Sequence, residues 1–388
     1  MSDTGFMAGM RRECLRMSGR RIYLFGIILV PLLVTVFFLS LLNEGLPMRI
    51  PTAIVDLDHS SMSRSLTRSL DALQLTEISQ KCESYDEALK LIRNGSVFGF
   101  FVIPDNFEKN TLAGNSPTLE YYSNMTYFVP GSLAFKGFKT VSVAASAGVV
   151  QQVLQDVGVG PSQAASIMQP LTLDIFGLGN PWMSYSIYLC PSFAMATLIL
   201  MIMLMTAFSI TIEIKNYTSQ EWLRKADGSI IVAVVSKLFP QTVMFTAVGF
   251  FIQWLLFGYS HFPMHGSIGW MLLATFLAVV AAQSIAVLFA SLVPNPRLSL
   301  ILCALTGILA FSFTGFSFPV ESMYGWLGVF SWFAPVRYWF LIYINEALNG
   351  YPVFYSRWFF IALLAFPFVC SAFLWNLKRM CLKPVYVK

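Results

Sequence analysis

Glu213-Ile-Lys-Asn-Tyr-Thr-Ser-Gln-Glu-Trp-Leu-Arg-Lys-Ala-Asp-Gly-Ser229 is a short charged island between two long apolar blocks. No Asp, Glu, Lys or Arg occurs from Ile175 to Ile212 on one side, or from Leu238 to Pro296 on the other. A Lys, Arg or Asp at the centre of a spanning helix costs roughly 2.5–3.5 kcal/mol on insertion scales. The island therefore belongs in water and the flanking blocks in lipid, which makes the chain a polytopic membrane protein. Lys215, Arg224 and Lys225 assign that water to the cytoplasm, where basic residues are retained.

The composition agrees. Hydrophobic residues make up 56% of the 388 and charged ones only 12%, outside the soluble globular range. The formal charge of +5 is too small for a nucleic-acid surface and reads as topology. Of six cysteines, Cys14, Cys190, Cys303, Cys370 and Cys381 fall in or beside apolar segments. Cys82 stands alone in the large polar region, which excludes an internal disulfide there, and no Cys-x-x-Cys pair favours zinc. The run 22–42 has the length of a full span and no Ala-x-Ala site after it, so it is expected to stay as an anchor.

Working outward, residues 1–21 carry Phe6, Met7, Met10, Cys14 and Met17 at helical spacing, with Arg11, Arg12, Arg16 and Arg20 between them. The pattern predicts an amphipathic helix on the cytoplasmic face with its arginines at lipid headgroups. A basic, irregular start that only fixes orientation is the alternative. Span 1 covers 22–42. Residues 48–180 form the one large polar region, where Thr52–Leu57, 97–103 and 118–122 read as strands. Helices are expected at 60–73, at 85–93 behind a Ser84/Glu87 capping box, and at 104–112 behind Pro104. That alternation indicates an inserted extracytoplasmic α/β domain. Residues 129–157, with Lys136, Lys139, Gln151, Gln152 and Gln155, read as a long helix of this domain and not as a span.

Span 2 is 186–212, and the loop 213–230 leads to span 3 at 231–257. A turn at Gly258–Ser267 separates span 4 at 268–292, and Pro294-Asn-Pro-Arg297 turns into span 5 at 298–318. Residues 319–356, too apolar for a solvated loop and too interrupted for a span, read as an external re-entrant or interfacial hairpin turning at Pro319 and Pro335. Span 6 is 357–377, and 378–388 is a cytoplasmic tail. The segments assigned to the cytoplasm hold thirteen Lys/Arg, while the two short external ones hold only Arg337 and Arg357. The fold class is thus an α-helical membrane protein with six spans, both termini cytoplasmic, and an inserted α/β domain.

No Gly-x-x-x-x-Gly-Lys-Ser/Thr phosphate loop occurs, so ATP is not hydrolysed by that route on this chain. Pro263 breaks any shared helix face between His261 and His265. Asp56-Leu-Asp58-His59 reads as a strand end running into a cap at Ser60 or Ser61, not as a metal cluster; no metal site is expected. Gly315-Phe-Ser-Phe-Pro lacks the second glycine of a nucleophile elbow. With no acidic residue near the centre of a span, an ion-coupled carrier lacks its relay, so energy must come from outside the chain.

Within the island, Thr218 and Glu221 form a Thr-x-x-Glu box that starts a short helix, and Gly228 can stop it. An exposed Trp222–Leu223 pair flanked by Arg224 would suit a partner's cleft; the alternative sets Trp222 among headgroups. Ala278, Ala282, Ala286 and Ala290 recur every four residues in span 4, a stripe that permits close packing within one subunit or between two.

Three stretches carry a resemblance to the ABC-2 type transporter permeases, of the branch with a large extracytoplasmic insertion. Gly315-Phe-Ser-Phe-Pro-Val-Glu321-Ser-Met-Tyr-Gly-Trp326, followed by Ala334-Pro335-Val-Arg-Tyr338, resembles the family's C-terminal motif, with Gly315, Pro319, Glu321 and Pro335 as its marked positions. Glu221-Trp-Leu-Arg-Lys-Ala-Asp-Gly228 and Lys237-Leu-Phe-Pro240 resemble the cytoplasmic coupling region, and Ala53-Ile-Val-Asp-Leu-Asp58 the opening strand of the inserted domain. Relatives often place Gly-Thr before the coupling Glu; here Asn216-Tyr217 precede Thr218.

The resemblance implies a permease subunit of an ATP-driven exporter of small or amphipathic, drug-like or lipid-like molecules, in the bacterial cytoplasmic (inner) membrane. It implies ABC ATPase subunits gripping Glu213, Thr218, Glu221, Trp222, Leu223 and Arg224, and a second permease, identical or paralogous. It allows a periplasmic adaptor, and implies no cofactor on this chain, with ATP and Mg on the partner. A non-transporting receptor or assembly factor with a ligand-binding outer domain is the rival reading.

Overall fold

The computed structural model describes residues 4–113, 115, 117–156, 160, 179–315 and 318–384. The chain divides into two compact units, one of Met1–Gly45 with Gly177–Lys388 and the other of Leu46–Phe176. Phe316 and Ser317 of the C-terminal motif, and residues 161–178 at the close of the inserted domain, lie outside the described residues.

The smaller unit is an α/β domain on a four-stranded sheet, in the order β2-β1-β3-β4. Its strands are β1 (Ile50–Asp56), β2 (Thr76–Cys82), β3 (Gly99–Ile103) and β4 (Glu120–Ser123). β1 pairs in parallel with β2 and β3, and β3 is antiparallel to β4. β1 is unbroken in its apolar run because both of its faces are covered. Ile54 packs with Leu66, Leu70, Phe101, Phe107 and Phe138 on one side, while Ala53 and Val55 pack with Cys82, Ala88, Val97 and Phe100 on the other. The long helix Phe128–Asp156 places Phe138 and Val141 in the first of these cores. β2 is absent from the sequence expectation. As the sheet's edge strand it reads Thr-Glu-Ile-Ser-Gln-Lys-Cys, with most side chains exposed, so hydrophobic periodicity gives it no signal.

In the larger unit five helices are long and apolar enough to cross a membrane: Arg21–Leu41, Tyr185–Lys215, Ile230–Tyr259, Ile268–Leu292 and Arg357–Leu382. Pro296–Ser312 is apolar but has only 17 residues. It falls short of the expected 318 because the backbone turns at Gly315, whose φ of 97° belongs to the left-handed region. The helices Gly325–Phe333 and Pro335–Leu348 meet at 85°, a broken span or re-entrant pair, with the bend at Pro335. The last helical segment breaks after Ser371 and resumes as Leu374–Leu382. It thus carries Lys378 and Arg379 past the expected end at 377, held by Leu377 and Cys381, both fully buried. Ala278, Ala282, Ala286 and Ala290 have no exposed surface within this single chain. The stripe is therefore consumed by packing inside the subunit.

Candidate functional site: a buried charge cluster behind the loop helix

The N-terminal helix Phe6–Ser18 ends three residues before the expected 21. Its Gly9 lies against Ser236 of the helix Ile230–Tyr259, where any Cβ would collide with the serine hydroxyl. That close approach buries the face carrying Gly9 and Glu13. Arg12 and Arg16 do not reach for headgroups; both turn inward to Glu213, at the end of Tyr185–Lys215. An unpaired carboxylate in that buried position would cost more than the hydration the two arginines give up.

Lys237 Nζ stands at the centre, 2.6 Å from Glu13 Oε2 and 2.9 Å from Glu213 Oε1. Arg12 forks onto Glu213 at 2.7 and 3.0 Å, and Arg16 and the Thr218 hydroxyl also donate to that carboxylate. Ser209 Oγ and Gln241 Nε2 each donate to Glu13 Oε1 at 3.0 Å. The Trp222 ring lies 5.3 Å from the Lys237 ammonium, and its indole N–H donates to the Ala233 carbonyl. Three cations face two buried carboxylates. Glu221, half exposed and 4.0 Å from Arg12 Nε, balances the count at the edge of the cluster. Such a cluster is tolerable in a dry interior only because nearly every lone pair and N–H is used.

The loop helix Ser219–Lys225 is pinned from several sides. Trp222, Leu223 and Ala226 join a core with Ile210, Ile214, Ala233, Val287, Leu377 and Cys381, from three span helices and the C-terminal helix. Ser219 Oγ and Gln220 Nε2 donate to the Cys381 and Leu382 carbonyls at 3.0 Å each, and the Gly5 N–H reaches the Lys225 carbonyl at 2.7 Å. Both ends of the chain thus hold the loop.

Two expectations for the loop are corrected. Trp222 and Leu223 are 2% and 4% exposed, so they form no docking face; their apolar surface is spent on the core. Nor does the Thr218/Glu221 capping box form, because Thr218 gives its hydroxyl to Glu213 while Glu221 turns to Lys225 at 3.4 Å. Gly228, at φ 71°, does close the helix, its N–H on the Leu223 carbonyl. The exposed face consists instead of Tyr217, Gln220, Glu221, Arg224 and Asp227. The central acid that sequence reading missed is Glu13. Its signal was a lone carboxylate on the Gly9/Glu13 face of an otherwise basic helix, four residues apart.

At the opposite motif, Gly315 lies beside Arg337, whose Nη2 is 3.7 Å from Glu321 Oε1. Pro319 precedes the short turn Val320–Ser322, and Pro335 opens its helix at the first turn. Among the described residues no group of His, Cys, Asp and Glu is arranged to hold a metal ion. Asp56, Asp58 and Ser60 act as caps: Ser60 Oγ accepts the Ser63 N–H, and Asp58 accepts the Glu108 N–H.

A search among curated proteins finds no match. A family model described as ABC-2 family transporter protein matches residues 21–376, which takes in four of the five span helices whole and most of Arg357–Leu382, together with the loop, Glu213 and Lys237, and both proline-marked turns. With that match across nearly its full length, the chain belongs to the ABC-2 transporter family as the membrane component of an ABC transporter.

Proposed function

We propose that this chain is the permease subunit of an ATP-driven exporter, moving small or amphipathic, drug-like or lipid-like molecules across the bacterial inner membrane. A separate ABC ATPase docks on the cytoplasmic loop helix Ser219–Lys225, and a second permease chain, identical or paralogous, completes the pathway. Both termini are cytoplasmic in this reading, and a periplasmic adaptor engages the α/β domain. The observation that carries it is the bonding of the loop to its surroundings through Glu213, Lys237, Glu13 and Trp222. A push on the loop's exposed face is passed to the span helices and the N-terminal helix together, since packed cores move as bodies and do not deform continuously.

Tyr217 supports the placement of the docking face. It holds φ 56°, a region costly for a bulky side chain and free for glycine, yet the residue is 62% exposed. An exposed tyrosine kept at that cost suits a partner surface, where Tyr and Arg are enriched. Glu213, Trp222 and Leu223 then act as the transmission behind that face, and Tyr217, Glu221 and Arg224 as the contact.

The test is co-purification with the cognate ATPase. Tyr217→Ala and Arg224→Glu should abolish association while the permease keeps its unfolding midpoint. Normal association and transport in both variants would refute docking at this face. In a background lacking the native cysteines, Arg224→Cys should react only with reagents supplied from the cytoplasmic side; labelling from outside overturns the topology.

A further inference from the structure

The α/β domain holds a cavity of about 540 Å³ between the helix Ser61–Asp71 and the edge strand β2, lined by Asp56, His59, Arg64, Arg68, Lys81 and Glu83 among others. It opens at the carboxyl ends of the parallel strands β1 and β2, where Asp56 and Cys82 end the two strands. Crevices outside the carboxyl ends of parallel strands are where α/β sheets take ligands. The volume is that of a small-molecule site, several times larger than one phosphate or carboxylate group needs.

The cavity is short of acid. Arg64 and Arg68 are one helical turn apart, a spacing at which like charges repel, and Lys81 faces the same space from β2. None of the three makes a salt bridge among the described residues. Asp56 does not serve them: its Oδ1 accepts the backbone N–H groups of Asp58 and His59, and its Oδ2 accepts the Ser63 hydroxyl. Arg64 spends one Nη1 hydrogen on the His59 carbonyl at 2.7 Å, which aims the guanidinium and leaves its other donors open. Arg64, Arg68 and Lys81 against Asp56 and Glu83 leave one positive charge among these five side chains. Buried Ile54, paired with Lys81 in register, supplies an apolar floor.

We propose that this cavity binds a small organic anion through its phosphate or carboxylate group, held by Arg64, Arg68 and Lys81, with the remainder of the molecule against Ile54. Arginine offers the planar fork that such groups accept bidentately, and Lys81 adds a point charge from the opposite wall. The anion arrives either free in solution or as the headgroup of an anionic lipid.

The experiment uses the full-length protein in phosphatidylcholine nanodiscs, titrated calorimetrically with inorganic phosphate at constant ionic strength, and in a second arm rebuilt in nanodiscs containing phosphatidylglycerol. Saturable phosphate binding that weakens at least tenfold in Arg68→Gln/Lys81→Gln, and is kept in Arg68→Lys/Lys81→Arg, supports a soluble anion. No phosphate heat, with a phosphatidylglycerol-dependent rise of the unfolding midpoint that the Gln double variant lacks, supports a headgroup. Should the double variant misfold, Thr67→Glu, which sets a carboxylate on the cavity wall, must abolish the same response. If neither probe distinguishes the parent from these variants, the site does not exist.

Discussion

Lys237 lies between Glu13 and Glu213 at 2% exposure, whereas Glu321 lies 3.7 Å from Arg337 at 80% exposure. Both are meetings of acid and base in the helical unit. They differ in what surrounds them. The first is closed over by Trp222, Ser209 and Gln241, so its charges answer to one another and to little else. The second is open to solvent on the acid side, where water competes for the carboxylate. Proximity of charge therefore says little about energy until burial is known.

The largest effect is expected where the buried cluster loses its centre. Lys237→Met leaves two carboxylates facing each other without their shared cation, and breaking a buried pair in this way costs about 3–5 kcal/mol. Reversible unfolding in detergent should report that loss. Adding Glu13→Gln should recover most of it, because Glu213 keeps Arg12 and Arg16 and the uncompensated carboxylate is then gone. If the single variant unfolds like the parent, the cluster has no such role.

Trp222→Ala comes next, at roughly 3–4 kcal/mol for a large aromatic removed from a packed site. It also removes the cover over Lys237, so its effect and that of Lys237→Met should add to less than their sum. The Trp222 variant should lose ATPase association together with stability, while Tyr217→Ala should lose association alone. That separation distinguishes the transmission from the docking face, and equal unfolding midpoints for the two variants would erase the distinction.

The same contrast sorts what the sequence could reveal. Span helices, the charged loop between two of them and the α/β insertion follow from where charges are and are not, since the cost of charge in lipid is a strong and local constraint. Strand β1 announced itself as a continuous apolar run. β2 did not, because an edge strand exposed on most of its length needs no hydrophobic pattern. The cluster itself was half legible: Glu213 and Lys237 flank the island, but Glu13 lies about two hundred residues away and its partners are fixed only by tertiary packing. Trp222 misled for a related reason. Local amphipathicity says that a helix has an apolar face, not whether that face is covered by a partner or by the chain's own two ends.

The smallest effects belong to the open pair, and here the two partners should differ. Glu321→Gln removes a carboxylate that water already satisfies, so the change in stability should stay below about 0.5 kcal/mol and should not depend on salt beyond error. Arg337 is only 14% exposed and its Nη1 crowds the position a side chain would take at Gly315. With the side chain so largely buried, Arg337→Ala should cost about 1–2 kcal/mol through lost packing rather than lost charge. Arg337→Met, which keeps the stem without the charge, should recover the greater part. If Arg337→Met is as damaging as Arg337→Ala while Glu321→Gln remains silent, then charge and not volume holds the turn, and the acceptor must be a backbone carbonyl of the hairpin instead of Glu321.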